Sequence, residues 1–397
     1  MVSDEVSRLH VDSNPHPSEP LPEATQQSEG RVAPGVRPSR RAVVAVVATR
    51  PETVLDDFQR AMVMAGVSQH LDPDVTTLLK INLSWQHWYP GCSTTPWQLD
   101  GVIRALRGLG HREVIGAHNG TVVVDSFEGE ANNKHKAVQD RHALPVTHLD
   151  SPPNRWVEYK PKAEMLVLDR IFPEGIQIPE SFAGTNIVHL PTMKTHVFTT
   201  MTGAMKNAFG GLLHRKRHWT HSVIHETLTD LLAIQQEIHP GLFAVMDGTF
   251  AGDGPGPRAM RWHIKDRILA SNDQVAIDAV AAKMMGFDPM SIKFIRLAHE
   301  RGLGCGDVSQ INVVGEDISQ VNWQFTGVEN TFASRGQKLI YWGPLKPLEK
   351  ILLRSPIVGW AFLASNLYHN GYWLKTKGRR RIKAALETDW GKLFQSY

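Results

Sequence analysis

A length of 397 residues is enough for two or three domains' worth of core. A hydrophobic fraction of 42% with 21% charged residues places the chain among soluble globular proteins, and a net charge of +3, with 19 histidines uncounted, is too mild to make nucleic acid the main partner. Two cysteines, Cys92 and Cys305, exclude a disulfide framework and any iron–sulfur cluster or zinc site built from cysteines alone, so a reducing, cytoplasmic setting is expected.

Residues 1–40 carry six prolines among Ser, Glu, Asp and Gln, and lack the run of roughly 7 to 15 apolar residues that a secretory signal needs. They read as a disordered leader. Order begins at Arg41. The run from Ala42 to Ala48 predicts a strand buried on both faces, and Pro51-Glu52 opens a helix to about Ala65. Thr76 to Leu83 predicts the second strand. A polar and aromatic loop follows, then a helix capped by Thr95-Pro96 with apolar positions Val102, Ile103, Leu106 and Leu109. Glu113 to Ala117 predicts a strand ending in His118-Asn119. A polar helix from about Phe127 to His142 and a short strand at Pro145 to Leu149 close this portion. Strands alternating with helices predict a mostly parallel α/β sheet.

In the second portion, Glu164 to Leu168 and Gly175 to Ile178 predict a hairpin. Asn186 to Leu190 predicts a strand that Pro191 breaks, because proline cannot donate to a ladder. Ser222 to Ile238 predicts a helix with a near capping box, Leu242 to Met246 and Arg267 to Ala270 predict strands, and Asp273 to Met285 predicts a helix stopped by Gly286. A helix at Ser291 to Arg301 and a strand at Ile311 to Val314 follow. The expected architecture is α/β: mostly parallel sheets with flanking helices, in two portions, 41–155 and 156–333, that face a cleft. A C-terminal arm over 334–397 combines an aromatic segment with a basic run, Lys375 to Lys383, in which six of nine residues are cationic. Such a combination can suit a membrane surface, but an arm packed on the body or on a dimer partner is the reading to be expected first.

No window reaches the roughly 18 to 20 apolar residues of a membrane span, so the expected location is cytoplasmic or membrane-peripheral.

In parallel α/β sheets ligands bind beyond the carboxyl ends of the strands. The predicted strand ends carry Lys80 and Asn82, His118 and Asn119, Lys194-Thr195-His196, and Asp247 with Asp253 in a glycine–proline loop. Between Pro191 and Gly211 two lysines, a histidine and five threonines stand among Met, Phe, Ala and Gly with no acidic residue, which suits a partly buried wall facing an anion. Lys194 and Lys206 supply charge or a desolvated amine, His196 can move a proton, and Asn207 can contact an anion or cap a turn. His214, His218, His221 and His225 share one face if their segment is helical throughout. His196, His221 and His225 are then candidate ligands of a divalent metal, against which stand Arg215, Lys216 and Arg217, and an anion site or solvent is the alternative. Asp247 ends a strand as a ligand or a turn cap, and Asp278, in an apolar helical run, reads as structural.

Together these residues resemble the domain of unknown function 362 family. Its pattern falls here at Lys80-Ile81-Asn82, Lys194-Thr195-His196, Lys206 to Gly210, Asp247-Gly248, Ser271 to Asp278 and Gly302-Leu303-Gly304, with Ile81 in place of a usual proline. Many members carry a cysteine-rich ferredoxin module, which this chain lacks, so no iron–sulfur cluster is implied. More distantly the family is similar to the lactate-racemase group, whose members use a lysine-tethered nickel-pincer nucleotide and histidines. Two functions are compatible with the residues. In one, an enzyme acts on a carboxylate- or phosphate-bearing small molecule, held or activated by Lys194 and Lys206, protonated by His196 and oriented by Asn82, Asn119 and Asn207. In the other, a non-catalytic cofactor- or metal-binding protein docks a membrane or partner through its arm.

Overall fold

The computed structural model describes residues 41–120, 124–213, 215–353, 363 and 366–397. The leader expected over 1–40 lies outside the described residues, as does His214. Strands in chain order are β1 (Val43–Ala48), β2 (Thr77–Ile81), β3 (Val114–His118), β4 (Val146–His148), β5 (Trp156–Tyr159), β6 (Ile176–Pro179), β7 (Asn186–Leu190), β8 (Thr192–His196), β9 (Thr200–Met201), β10 (Leu242–Asp253), β11 (Arg261–Ser271) and β12 (Asn312–Gly315). Ten of them form one mixed sheet in the order β12-β1-β11-β10-β7-β2-β3-β4, with β8 beside β10 and β9 beside β8. All neighbours on that path are parallel except β11, which runs antiparallel to both β1 and β10. Strands from 41–155 and from 156–333 therefore share a single sheet, with β1 inserted between β12 and β11.

The central strands are apolar on both faces because both faces are covered. One face packs on helices Gly203–Phe209, Ile224–Ile238, Gln274–Met285 and Lys293–Glu300, with Leu228, Leu231, Val280 and Phe294 fully buried. The other packs on Val54–Met64 and Pro96–Gly108 through Phe58, Trp97, Val102 and Leu106. Local signals set the helix ends. Thr95 Oγ1 accepts from Gln98 N at 3.2 Å with Pro96 in the first turn. Asp273 accepts from Val275 N and Ala276 N, both at 2.9 Å, and Gly286 ends that helix at φ +101°.

Four expectations change. Residues 164–168 form no strand: Asp230 accepts the backbone N–H groups of Leu166, Val167 and Leu168 at 2.7, 2.9 and 3.1 Å, which satisfies them without a ladder. The partner of β6 is instead β5. The helix expected over 127–142 is two, Ser126–Asn132 and His135–His142, separated by Lys134 at φ +63°. Residues Arg215–Val223 form tight three-residue turns before the helix proper, so Ser222 caps nothing and donates to Glu349 Oε1 at 3.0 Å. β10 and β11 run to 12 and 11 residues, far beyond their apolar cores, because each satisfies the other's backbone as an antiparallel pair.

The described parts of the C-terminal arm pack on the body. Trp390 and Phe394 are buried in the core face that holds Trp97, and Trp390 Nε1 donates to Asp266 Oδ1 at 2.7 Å. Trp373 lies against Trp85 and Tyr89, and Trp85 Nε1 donates to Asn370 at 2.8 Å.

Candidate functional site

Pro191 ends β7, and the chain steps into β8, which stays beside β10, gains β9 and leaves β2 behind. This carries Lys194 under the loop that follows β2. Lys194 is 1% exposed, and its ammonium donates to Ser84 Oγ at 2.9 Å and to Cys92 O. Asn82 donates to the same Cys92 carbonyl at 3.3 Å and to Thr192 Oγ1 at 3.2 Å, and accepts from Ser84 Oγ at 2.9 Å. An ammonium has three protons to give, so among the described residues one of Lys194's stays unspent.

Lys80, 3% exposed on β2, donates to Ile81 O at 2.7 Å, and its carbon chain lies in the space that a side chain at Gly211 would fill. Asn207 donates to Lys80 O at 2.8 Å and to His189 Nδ1 at 3.4 Å. Lys206, on the same helix as Asn207, sits 5.4 Å from the Phe209 ring centre. Burial depresses all three lysines, Lys80 and Lys206 to about 7 and Lys194 to about 8. Neighbouring cations add to this: Arg217 acts on Lys80 and Lys206, Lys194 on Lys206, and Arg258 on Lys194. Among the described residues no carboxylate balances them.

His196 Nδ1 accepts from Phe198 N at 3.2 Å, which assigns the proton to Nε2, while Thr199 Oγ1, 3.1 Å from Nδ1, donates to Met201 O at 2.7 Å. Burial and the positive charge of Lys206 hold its pKa well below the usual imidazole value, so the ring is neutral. His221 donates from Nδ1 to His218 O at 2.9 Å and is pushed down to about 4 by burial, as is His225. Phe198 stands between these rings, 5.7 Å from His196 and 5.9 Å from His221. Tyr341 and Trp342 of the arm close over it at 5.8 and 5.6 Å.

Other predicted residues are committed to the scaffold. Asp247 accepts from Thr95 Oγ1 at 2.5 Å and Thr249 N at 2.7 Å, fastening β10 to a helix start. Asp253 pairs with Arg261 at 2.9 Å and accepts from Thr326 N at 2.7 Å. Thr195 Oγ1 donates to Gly254 O at 2.8 Å. Asn119, 7% exposed, donates to Gly120 O at 2.6 Å. The N-terminus of Gly203–Phe209 is occupied from within: Asp278 accepts from Ala204 N at 2.6 Å and Met205 N at 3.1 Å.

Metal-ligating atoms converge elsewhere. Among the described residues, those of His118, Glu130 and His148 all lie within 4.8 Å of one another, a grouping that His196, His221 and His225 do not make. Sequence reasoning placed His118 at a strand end but passed over Glu130 and His148, and the one available signal was a histidine at each of two strand ends. A surface cavity of about 90 Å³, lined by Phe172, Gln177, Leu213 and Lys216 among others, includes none of the buried lysines.

The domain of unknown function 362 matches residues 77–283, which contain every lysine and histidine described above. A thylakoid-associated protein of Synechocystis sp. is 24% identical over 247 residues, 60% of this chain and 72% of the relative. No solved structure matches. The likeness to the lactate-racemase group gains no support from these comparisons.

Proposed function

We propose, on the premise that this chain belongs to the domain of unknown function 362 family, that it binds a carboxylate- or phosphate-bearing small molecule at the carboxyl ends of its sheet and acts on it with lysine and histidine chemistry. One observation carries the reading. Lys80, Lys194 and Lys206 are depressed to between about 7 and 8, with other cations as neighbours. Burying unbalanced charge is costly, and an anion offsets that cost. Lys194 holds the ligand with its remaining proton. Lys206, held near neutrality in the free protein, takes up a proton with the ligand and holds its charge or returns that proton as a general acid, and neutral His196 passes a proton through Nε2. Asn207 holds the Lys80 carbonyl, and Asn82 fixes Lys194 through the Cys92 carbonyl and Ser84 that they share. An anion entering this site restores the lysines' protonated form, so binding is accompanied by proton uptake. Titration calorimetry with inorganic phosphate and with succinate, in two buffers of different ionisation enthalpy, tests this. Uptake close to one proton is expected near pH 7, with at least about tenfold weaker binding in Lys194→Met and Lys206→Met. The reading is lost if neither anion binds, or if both variants bind as the parent does.

A second reading is peripheral association with an anionic bilayer. Trp342, Leu345, Leu348, Ile351, Leu367 and Tyr372 are exposed large apolar side chains, and Lys346, Lys375, Lys377, Arg379 and Arg380 are exposed in the same part of the chain. Apolar area beside cations suits a lipid surface, and the Synechocystis relative is named as thylakoid-associated. Among the described residues no helix is long and apolar enough to cross a membrane. Co-flotation with phosphatidylglycerol vesicles but not phosphatidylcholine vesicles is expected, and equal absence from both would remove this reading.

A further inference from the structure

The sheet places two histidines side by side. β3 and β4 run parallel, and their register sets His118 opposite His148. In a parallel pair, residues in register project to the same face. Above them lies the helix Ser126–Asn132, begun by Asp125 accepting from Glu128 N at 3.0 Å, and it brings Glu130 down onto the pair. Glu130 Oε1 is hydrogen-bonded to His118 Nε2 and lies 3.3 Å from His148 Nε2, while the two rings are 4.7 Å apart. Both imidazoles thus aim Nε2 at one carboxylate oxygen.

We infer that His118, Glu130 and His148 form a binding site for a divalent transition-metal ion of the zinc class, which no comparison with known proteins assigns. Two imidazoles and a carboxylate are a recurrent three-ligand set for zinc that leaves a further position open, whereas magnesium and calcium prefer all-oxygen shells. A tetrahedral zinc with bonds near 2.1 Å spaces its ligands about 3.4 Å apart, so within the observed grouping of 4.8 Å the hydrogen-bonded His118–Glu130 pair parts to admit the ion while the more distant atoms draw in. A supporting contact is present: Gln139 Nε2 donates to Glu130 Oε1 at 3.0 Å and orients the carboxylate. His118 and Glu130 are buried, and the His148 side chain keeps 15% of its surface exposed, which gives an ion its way in. The Phe127 ring, 4.3 Å from His148, covers the outer side. The site shares no ligand with the lysine pocket, and its test does not require the anion proposed there.

The test uses the full chain, stripped with a chelator and titrated with Co2+, whose visible absorption reports its coordination. One Co2+ per chain is expected, displaced by Zn2+ and unaffected by excess Mg2+. His148→Ala and Glu130→Gln each weaken binding at least about tenfold, while His221→Ala binds as the parent does. A thermal-melting series guards against misfolded variants: Zn2+ raises the melting temperature of the parent and of His221→Ala, but not of His148→Ala, which itself still melts cooperatively. Failure of the parent to bind Co2+, binding unchanged in His148→Ala, or loss in His221→Ala with retention in His148→Ala overturns the inference.

Discussion

Asp278 sits where a side chain on Gly203 would have to be. Gly203 holds φ at +87°, and a Cβ there would overlap the Asp278 carboxylate. That carboxylate caps Gly203–Phe209, the helix that presents Lys206 and Asn207. Much of the family's sequence pattern has this supporting role. Asp273, for example, caps its own helix and also accepts from Cys305 N at 2.9 Å, which fixes the Gly302-Leu303-Gly304 turn.

Gly203→Ala is therefore expected to lose about 2–4 kcal/mol, from the positive φ and the overlap together. Asp278→Ala is expected to lose about 2–4 kcal/mol by stranding two buried backbone N–H groups. Urea denaturation measures both. A loss below about 0.5 kcal/mol in Gly203→Ala would show that the contact is not held in solution.

Lys206 makes the free protein's stability depend on pH. Its pKa falls from 10.5 to about 7 on folding. Between those values the unfolded chain carries a proton that the folded chain lacks, so this group's contribution rises with pH across that window. Below about pH 7 both states are protonated and the folded state carries the full penalty. Lys206→Met should accordingly stabilise the unliganded protein by about 1–4 kcal/mol below pH 7, the difference shrinking as pH rises. Thermal melts of both proteins across pH decide it. A difference that grows with pH contradicts the assignment.

Anion affinity runs the opposite way. Lys80 and Lys206 lose their protons near pH 7 and Lys194 near pH 8 in the free protein, so phosphate binds best below pH 7 and weakens as pH rises through 8. Calorimetric titrations at three pH values give the profile, and a flat one would place the phosphate elsewhere.

Asp247 and Asp253 separate scaffold from ligand contact. Each has its oxygens engaged, by Thr95 and Thr249 or by Arg261 and Thr326. Asp247→Asn and Asp253→Asn should each cost about 1–3 kcal/mol of stability. Phosphate affinity should stay within about threefold of the parent's, and a tenfold loss at full folding would return either residue to the site.

The end of the arm belongs to the fold. Trp390 is 2% exposed and packs 5.2 Å from Trp97, so Trp390→Ala should cost about 3–5 kcal/mol in chemical denaturation. An unchanged midpoint would mean that this helix is only loosely attached.

What the sequence alone determined is local. Apolar runs located β1, β2, β7 and the apolar part of β10, Thr95-Pro96 and Asp273 marked helix starts, Pro191 marked a strand end, and the strand-end lysines were legible as candidates. These signals act over a few residues, through missing N–H groups, capping oxygens and alternating burial. Only the tertiary structure decided which candidates share an environment. It extended β10 and β11, whose outer halves are too polar and glycine-rich to read as strands. It spent Asp247, Asp253 and Thr195 on neighbours far along the chain, and left Lys80, Lys194 and Lys206 without a carboxylate among the described residues. It also set His118 beside His148 and lowered Glu130 onto both. Strand register and helix placement come from long-range packing, and no spacing within the sequence encodes them.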